Sequence, residues 1–264
     1  MGVVNVTPDS FSDGGRFFDE AAAVSHGLAL AEAGADWLDV GGESTRPGAE
    51  PVSEAQELAR VIPVIAGLRA RTALPISIDT LKPAVARAAV AAGASMWNDV
   101  SALTAAPDSL ETAAELGCAV TLMHMRGEPR TMQDDPRYDD VVAEVAAYLA
   151  HRAQVALAAG VRREAIWLDP GIGFGKTTVH NLALIARLDR LAALGFPVLL
   201  GASRKRFIRA LDPKGDAPAA RLGGSLAAAL AGARAGAAMV RVHDVRETVQ
   251  ALAVQAAIAA QAEP

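Results

Sequence analysis

The stretch PISIDTLKPAVARAAVAAGASMWNDV, residues 75–100, contains the repeating unit that decides the fold. Residues 75–79 form a short apolar run of the kind found in strands that are buried on both faces. The Ala-rich stretch 82–93 predicts a helix, and Gly93 ends it where a left-handed backbone suits glycine. A second apolar run follows at 95–100. The segment therefore predicts a strand–helix–strand unit with parallel strands.

The same unit recurs along the whole chain. Apolar runs that predict strands lie at 2–6, 36–41, 75–79, 95–100, 118–124, 165–169, 197–202 and 238–243. Ala- and Leu-rich stretches that predict helices lie at about 20–34, 53–70, 82–93, 108–117, 139–160, 178–195, 218–235 and 245–261. Eight such pairs predict an α/β fold of the (β/α)8 TIM-barrel type. The alternative is an open doubly wound sheet, which favours a Gly-rich turn after the first strand; the sequence there is Thr7-Pro8-Asp9-Ser10.

Length and composition limit the possible functions. A chain of 264 residues, 52% hydrophobic, fits one barrel domain over 1–264. The net charge is −5 and there is no basic block, so we expect neither a nucleic-acid nor a membrane partner. Cys118 is the one cysteine of the sequence, which excludes an internal disulfide and a cysteine zinc site. The first residues lack a signal-peptide pattern, and we expect a cytoplasmic protein.

Polar residues follow the predicted strands at their carboxyl ends, where a barrel of this type carries its active site. They are Asn5, Asp39, Glu43, Asp79, Asn98, Asp99, His124, Asp169, Ser203, Arg204, Lys205, Arg241, His243 and Asp244. One Asp after a strand is as often a helix cap or a turn residue. Polar residues after all eight strands are not explained by capping, and they predict a single site at one mouth of the barrel.

The chemistry of this set is mixed. Asp79, Asp169 and Asn98 suit a flat, nitrogen-rich ring, because a carboxylate accepts two N–H bonds from an amino-pyrimidinone edge. Lys205 and Arg241 add positive charge for a ring oxygen or a phosphate, and a guanidinium also stacks on a ring. A polyanion with a divalent metal would suit a second group of residues: Asn5, Arg46, Arg241 and His243. No HxH or HExxH pattern predicts a metal cage made by the protein alone.

One further pattern imitates a phosphate-binding loop. The stretch Gly171–Lys176 is one residue short of the GxxxxGK[ST] spacing, so a nucleotide site is not predicted. Lys176 is interpreted as a solvated loop lysine.

These motifs together resemble the dihydropteroate synthase family. The resemblance rests on NVTPDSFSDGG at 5–15, GGESTRPG at 41–48, SIDT at 77–80, NDV at 98–100, LMHM at 122–125, LDPGIGFGK at 168–176, SRK at 203–205 and RVHDV at 241–245. It covers nearly the whole chain in order. It implies the joining of 6-hydroxymethyl-7,8-dihydropterin diphosphate to 4-aminobenzoate, which yields 7,8-dihydropteroate and diphosphate for folate synthesis. It also implies Mg2+ and a homodimer, and sulfonamide drugs compete with the aminobenzoate in this family.

The resemblance also implies roles for residues. The pterin would be held by Asp79, Asn98, Asp169 and Lys205, between walls made by Met123, Phe174 and Gly201. Arg241 would stack on the pterin, and diphosphate would be bound by Arg46, Arg241 and His243, with Asn5 as the Mg2+ ligand. The aminobenzoate would contact Thr45, Pro47 and Ser203. Phe11 and Asp13 would lie in a mobile loop that closes the site, and Asp13, Arg46, Lys205 and Arg241 would be catalytic.

Two other functions compete with this interpretation. A pterin-binding methyltransferase domain of the corrinoid type shares the barrel and the Asp/Asn/Asp pocket, but it should lack the diphosphate residues and the loop at 5–15. A non-catalytic relative that binds pterin would keep all of these motifs.

Members of the family usually carry a segment before the first strand that helps to close the bottom of the barrel. Since this sequence starts at that strand, we expect a less stable bottom face.

Overall fold

The computed structural model describes residues 1–7, 20–43, 51–127 and 131–261. Its strands are β1 (Gly2–Asn5), β2 (Leu38–Gly41), β3 (Ile76–Asp79), β4 (Met96–Asp99), β5 (Ala119–Met123), β6 (Ile166–Asp169), β7 (Leu199–Leu200) and β8 (Met239–Val240). Its α-helices are α1 (Glu20–Glu32), α2 (Glu54–Arg69), α3 (Pro83–Ala91), α4 (Ser109–Leu116), α5 (Val141–Ala158), α6 (Thr178–Ala186), α7 (Asp189–Ala192), α8 (Arg206–Leu211), α9 (Leu222–Arg234) and α10 (Val245–Ala260). None of these helices is long and apolar enough to cross a membrane.

The strands close into a ring. Strands β1 to β6 form one parallel sheet in chain order, and β7 pairs with β8 in parallel. A parallel bridge between Leu168 and Val198 joins β6 to the β7 segment, and another between Gly2 and Val242 joins β1 to the β8 segment. These bridges connect the two sheets at both edges, so the predicted (β/α)8 barrel is confirmed.

Two local differences from the prediction concern helices. The predicted helix 178–195 is divided into α6 and α7, with a non-helical backbone at Arg187. The stretch 203–217, which lies between the predicted strand 197–202 and the predicted helix 218–235, contains α8, which buries Phe207 and Ile208. Neither feature has a clear sequence signal, because α7 and α8 are too short for a helical period and no Gly or Pro marks the break at Arg187.

Side chains of the strands alternate between the helices and the barrel interior. Ile78, Trp97 and Leu122 belong to the main core cluster, which the surrounding helices complete. The interior contains a small cluster built on Met1, Met96 and Leu199 at the amino ends of the strands. A second cluster of Val100, Met123, Met132 and Phe174 lies toward the carboxyl ends. The polar interior residues therefore lie between two apolar layers.

Asp99, at the end of β4, stabilises the turn that follows. Its carboxylate accepts hydrogen bonds from the backbone N–H groups of Ser101, at 2.7 Å, and Leu103, at 2.8 Å. Ala102 and Leu103 have φ of 55° and 61°, a left-handed conformation that is costly for residues with a Cβ. The carboxylate thus compensates for a strained turn.

We expect Asp99→Ala to lower the free energy of unfolding by roughly 3 kcal/mol, because two buried backbone donors lose their acceptor. Urea unfolding followed by circular dichroism measures the change. The matched control is Asp108→Ala, since Asp108 is exposed and its side chain caps no N–H group. Equal losses in the two variants would contradict the role given to Asp99.

Candidate active site

The carboxyl ends of the strands meet at one cavity. Every predicted substrate-binding residue within the described ranges lines it: Asp79, Asn98, Met123, Asp169, Phe174, Gly201, Ser203, Lys205, Arg241 and His243. Val100 and Ile172 add apolar wall that the sequence did not indicate. The predicted residues Phe11, Asp13, Thr45, Arg46 and Pro47 lie outside the described residues.

Arg241 lies in the middle of this cavity, between two carboxylates. Its Nε donates to Oδ2 of Asp39 at 2.6 Å, and its NH2 group donates to Oδ2 of Asp79 at 2.9 Å. Burial opposes the charge of Arg241, but the two carboxylates outweigh it and raise the pKa of the guanidinium. Arg241 is therefore a permanent cation with a fixed orientation.

Asp79 shares this one cation with a second buried carboxylate. Burial raises its pKa above the ordinary aspartate value; Arg241 opposes the rise, and the charge of Asp39 adds to it. Asp79 is consequently easier to protonate than a surface aspartate.

Asp169 is shaped by the glycine-rich segment that follows β6. Its Oδ1 accepts a hydrogen bond from the Gly171 N–H at 2.6 Å. Gly171 has φ of 67°, and a Cβ there would approach the carbonyl oxygen of His124 to 1.9 Å, so only glycine fits. Burial raises the pKa of Asp169, while the Gly171 hydrogen bond and the nearby Lys205 and Arg241 oppose the rise. The carboxylate thus lies among donors and cations in the wall of the cavity.

Apolar side chains lie beside these acids in the cavity wall. Phe174 and Met123 belong to the cluster near the carboxyl ends, and Nζ of Lys205 lies 4.3 Å from the centroid of the Phe174 ring. Gly201 has no protein atom within 3.9 Å of the position of a Cβ, and the nearest are atoms of Asp169 and Arg241. These apolar side chains, together with the acids of the cavity, suit a planar group with polar edges.

In the segment 203–205, Arg204 belongs to the framework around the cavity, whereas Ser203 and Lys205 line the cavity. Arg204 binds Asp244 through two hydrogen bonds, at 3.0 and 2.5 Å, and has φ of 58°. Its carbonyl accepts from the buried Arg221 at 2.9 Å. This framework leaves Ser203 and Lys205 on the cavity side, where both line the wall.

His243 lies in a buried, positively charged environment that favours its neutral form. Its Nδ1 lies 3.1 Å from Oγ of Ser203, and burial together with Arg241 and Arg204 lowers the pKa of the imidazole to about 3. Burial and the two arginines thus disfavour a positive charge on His243, and its role as a diphosphate ligand stays a prediction. His243 offers a neutral ring to an anion that binds here.

Asn5 lies at the carboxyl end of β1, half-buried and paired in register with Gly41 of β2. Within the described ranges no three His, Cys, Asp or Glu side chains are grouped as a metal cage. One neutral amide oxygen fits a Mg2+ ion whose other ligands come from a phosphate group and water. The residues present are therefore compatible with a metal that arrives with an anionic ligand.

Lys176 is not the solvated lysine that the sequence suggested. It is 2% exposed, and its Nζ donates to the carbonyl oxygens of Phe174, at 2.9 Å, and His124, at 3.2 Å. Burial lowers its pKa to about 7, and the charge of Asp169 opposes the shift. Sequence spacing could not reveal this, because the acceptors come from two different strand ends.

Asp39 is the other residue whose position was not anticipated. The sequence named it among the polar residues near strand ends and gave it no role. In the structure it is fully buried inside the barrel and contacts both Arg241 and Asn98.

Comparisons with known proteins agree with this geometry. The family described as pterin binding enzyme matches residues 1–243. Dihydropteroate synthase of Escherichia coli is 50% identical over 254 residues, which is 96% of this chain and 89% of that protein. The structure of Xanthomonas albilineans dihydropteroate synthase with 4-aminobenzoic acid has a TM-score of 0.93 at 56% identity and covers 100% of this chain and 93% of its own.

Two further structures are similar. The same Xanthomonas albilineans enzyme in complex with 7,8-dihydropteroate has a TM-score of 0.89 at 52% identity, with 100% of this chain and 93% of its own covered. The Yersinia pestis enzyme with a sulfonamide drug complex has a TM-score of 0.92 at 44% identity, with 98% and 93% covered.

Proposed function

Because this chain belongs to the dihydropteroate synthase family of pterin-binding enzymes, it carries out the family's condensation, and we propose that the cavity at the barrel mouth is where it does so. The reaction joins 6-hydroxymethyl-7,8-dihydropterin diphosphate to 4-aminobenzoate and forms 7,8-dihydropteroate and diphosphate in folate synthesis. The observation that carries the assignment is the convergence of Asp79, Asn98 and Asp169 with Lys205 and Arg241 around one cavity.

The pterin ring of the substrate is bound by the acids and the amide of the cavity. Asp169 accepts two N–H groups of the amino-pyrimidinone edge, while Asn98 and Asp79 bond its other polar atoms. Burial of unpaired carboxylates is costly, so rings without those donors are rejected. Lys205 donates to a ring oxygen, Met123 and Phe174 pack on the ring, and the Arg241 guanidinium stacks against it.

The diphosphate of the substrate is bound by the cations beside the pterin ring. Arg241 and Arg46 neutralise charge on the departing diphosphate, and His243 hydrogen-bonds it. Asn5 would hold Mg2+, which when bound supplies a Lewis acid for the phosphate oxygens. Such stabilisation acts where negative charge develops in the transition state, and it favours cleavage of the bond between the pterin methylene and the diphosphate oxygen.

The condensation itself needs little base catalysis. Loss of diphosphate leaves a methylene cation, which the electron-rich dihydropterin delocalises and Asp13 stabilises. The aniline nitrogen of 4-aminobenzoate is neutral near pH 7, so it attacks this carbon directly and then loses a proton. Thr45, Pro47 and Ser203 would contact the aminobenzoate. Closure of the loop that contains Phe11 and Asp13 would exclude water, which otherwise captures the cation.

Pterin binding should depend on pH through Asp79. The carboxylate accepts N–H bonds only when it is ionised, and its raised pKa means that protonation begins at a higher pH than for an ordinary aspartate. We therefore expect affinity for the pterin substrate to fall as the pH decreases toward 5. Fluorescence titration across pH measures this, and Asp79→Asn should reduce the dependence to the part that Asp169 contributes. A dependence of the same shape in that variant would assign it to another group.

Asn5→Ala should lower turnover about 100-fold and raise the Mg2+ concentration needed for half-maximal activity, while leaving the fold intact. Steady-state rates across a Mg2+ titration measure both effects, and diphosphate affinity with and without Mg2+ gives a second readout. Thr112→Ala is a control for loss of a buried polar side chain away from the cavity, since Oγ1 of Thr112 on α4 accepts from Arg87 at 3.0 Å. An unchanged Mg2+ requirement in Asn5→Ala would contradict the ligand assignment.

The proposal extends to the domain organisation, the location, the oligomeric state and the inhibitors of the protein. The length and the ring closure favour one domain over 1–264, and the single cysteine is consistent with a cytoplasmic location. The family resemblance favours a homodimer, which sedimentation at micromolar concentration tests. Since the Yersinia pestis relative is described with a sulfonamide drug complex, sulfonamides should compete here for the 4-aminobenzoate position.

One assay separates the synthase from a corrinoid-type methyltransferase domain and from a non-catalytic pterin-binding relative. Purified protein is incubated with the pterin diphosphate, labelled 4-aminobenzoate and Mg2+. Formation of 7,8-dihydropteroate supports the synthase. Pterin binding without product would support one of the two alternatives.

A further inference from the structure

Asp39 lies below the cavity and does not line it. It belongs to β2, its side chain is 0% exposed, and it faces the barrel interior in register with Ser77 of β3. Its Oδ2 accepts from Nε of Arg241 at 2.6 Å and from Nδ2 of Asn98 at 3.3 Å. We propose that Asp39 is a positioning residue that fixes Arg241 in the orientation required for the pterin diphosphate; this rests on the proposed function of the cavity.

Two hydrogen bonds fix the orientation of the Arg241 guanidinium. Arg241 donates Nε–H to Asp39 and an NH2 hydrogen to Asp79, and two bonds from one planar group determine the direction of its plane. Asp79 is itself a proposed pterin ligand, so the substrate competes with Arg241 for that carboxylate. Asp39 is buried beyond the reach of the substrate. Its bond is therefore the one that keeps Arg241 in place when the pterin occupies the cavity.

The burial of Asp39 indicates that its negative charge, and not its shape alone, matters at this position. Its other oxygen, Oδ1, has no hydrogen-bond partner among the described residues, although the side chain is fully buried. A buried carboxylate with an unsatisfied oxygen costs more free energy than an amide of the same shape. What the carboxylate provides and the amide does not is a negative charge next to Arg241. The carboxylate therefore serves to orient Arg241, at a cost to the stability of the barrel.

The test compares Asp39→Asn with Ser77→Ala. Asn keeps the shape of Asp39 and an acceptor for Asn98 but loses the charge, while Ser77 is a buried interior neighbour whose Oγ also has no partner within the described ranges. We expect Asp39→Asn to weaken binding of the pterin diphosphate about 10- to 100-fold, as for other residues that orient a ligating group. The KM for 4-aminobenzoate should stay within about 2-fold, and Ser77→Ala should resemble the parent chain.

The same comparison in an Arg241→Ala background separates positioning from a general structural effect. Because Asp39 acts through Arg241, Asp39→Asn should then change pterin diphosphate binding less than about 3-fold. An equal loss in both backgrounds, or equal effects on both substrates, overturns the proposal, as does wild-type binding in Asp39→Asn. The double variant also serves if Asp39→Asn alone does not fold, since it removes both charges of the buried pair. Product formation by the parent chain is measured in parallel, so that failure of the proposed function is recognised separately.

Discussion

Arg241→Ala should lower kcat by roughly 10³-fold, the loss found when a preorganised group that stabilises charge in a transition state is removed. Arg241 is the cation shared by the pterin and diphosphate halves of the cavity, and Asp39 and Asp79 hold its orientation before substrate arrives. Removing it leaves two buried carboxylates without their counter-ion, and this also repels an anionic substrate. Steady-state kinetics with both substrates varied measures the effect.

The matched control for this change is Arg206→Ala, since Arg206 is exposed at the start of α8 and does not line the cavity. It should retain the activity of the parent chain. Circular dichroism and thermal unfolding of both variants test whether the barrel stays folded. If folded Arg241→Ala kept the wild-type rate, the diphosphate assignment would be wrong.

Asp169→Asn should lower kcat/KM for the pterin diphosphate by at least about 10³-fold, because a site built to bond particular N–H groups leaves buried polar groups unpaired when one partner is mismatched. An amide replaces one carboxylate oxygen by a donor, so it cannot accept both N–H groups of the amino-pyrimidinone edge. Gly171 keeps the side chain in place through its N–H, which still has an oxygen to bond. The fold should therefore survive.

The KM for 4-aminobenzoate distinguishes a pterin contact from general damage. We expect it to change less than about 3-fold in Asp169→Asn, since distant sites behave independently. Asp189→Asn is the control, because Asp189 is exposed on α7. Equal losses for both substrates would show that Asp169 shapes the whole cavity and does not bind the ring specifically.

The barrel could be predicted from the sequence because its signals are local. Each strand is a short apolar run, and glycines such as Gly117, with φ of 59°, mark the ends of helices before strands. The limits of β7 and the break at Arg187 could not be predicted. They depend on which backbone groups pair across the ring and on how α6 and α7 pack, and neither leaves a periodic pattern.

The site could be predicted as a set of residues but not as an electrostatic arrangement. Strand ends such as Asp79 and Asp169 must meet at one mouth once the barrel is accepted. Sequence alone could not show that the pKa of His243 is lowered or that Lys176 is buried, because both depend on how the barrel packs other segments, such as those of Arg204 and His124, around them. The same holds for Asp39, whose partner Arg241 lies 202 positions away.

The central claim is that one cavity binds both the pterin ring and the diphosphate of the substrate. A crystal structure with the pterin diphosphate and Mg2+ bound tests this claim most directly. We predict that the ring lies between Phe174 and Arg241 with its amino-pyrimidinone edge on Asp169, and that the diphosphate extends toward Asn5 and His243. A ring bound elsewhere, or phosphates directed away from Arg241, would contradict it.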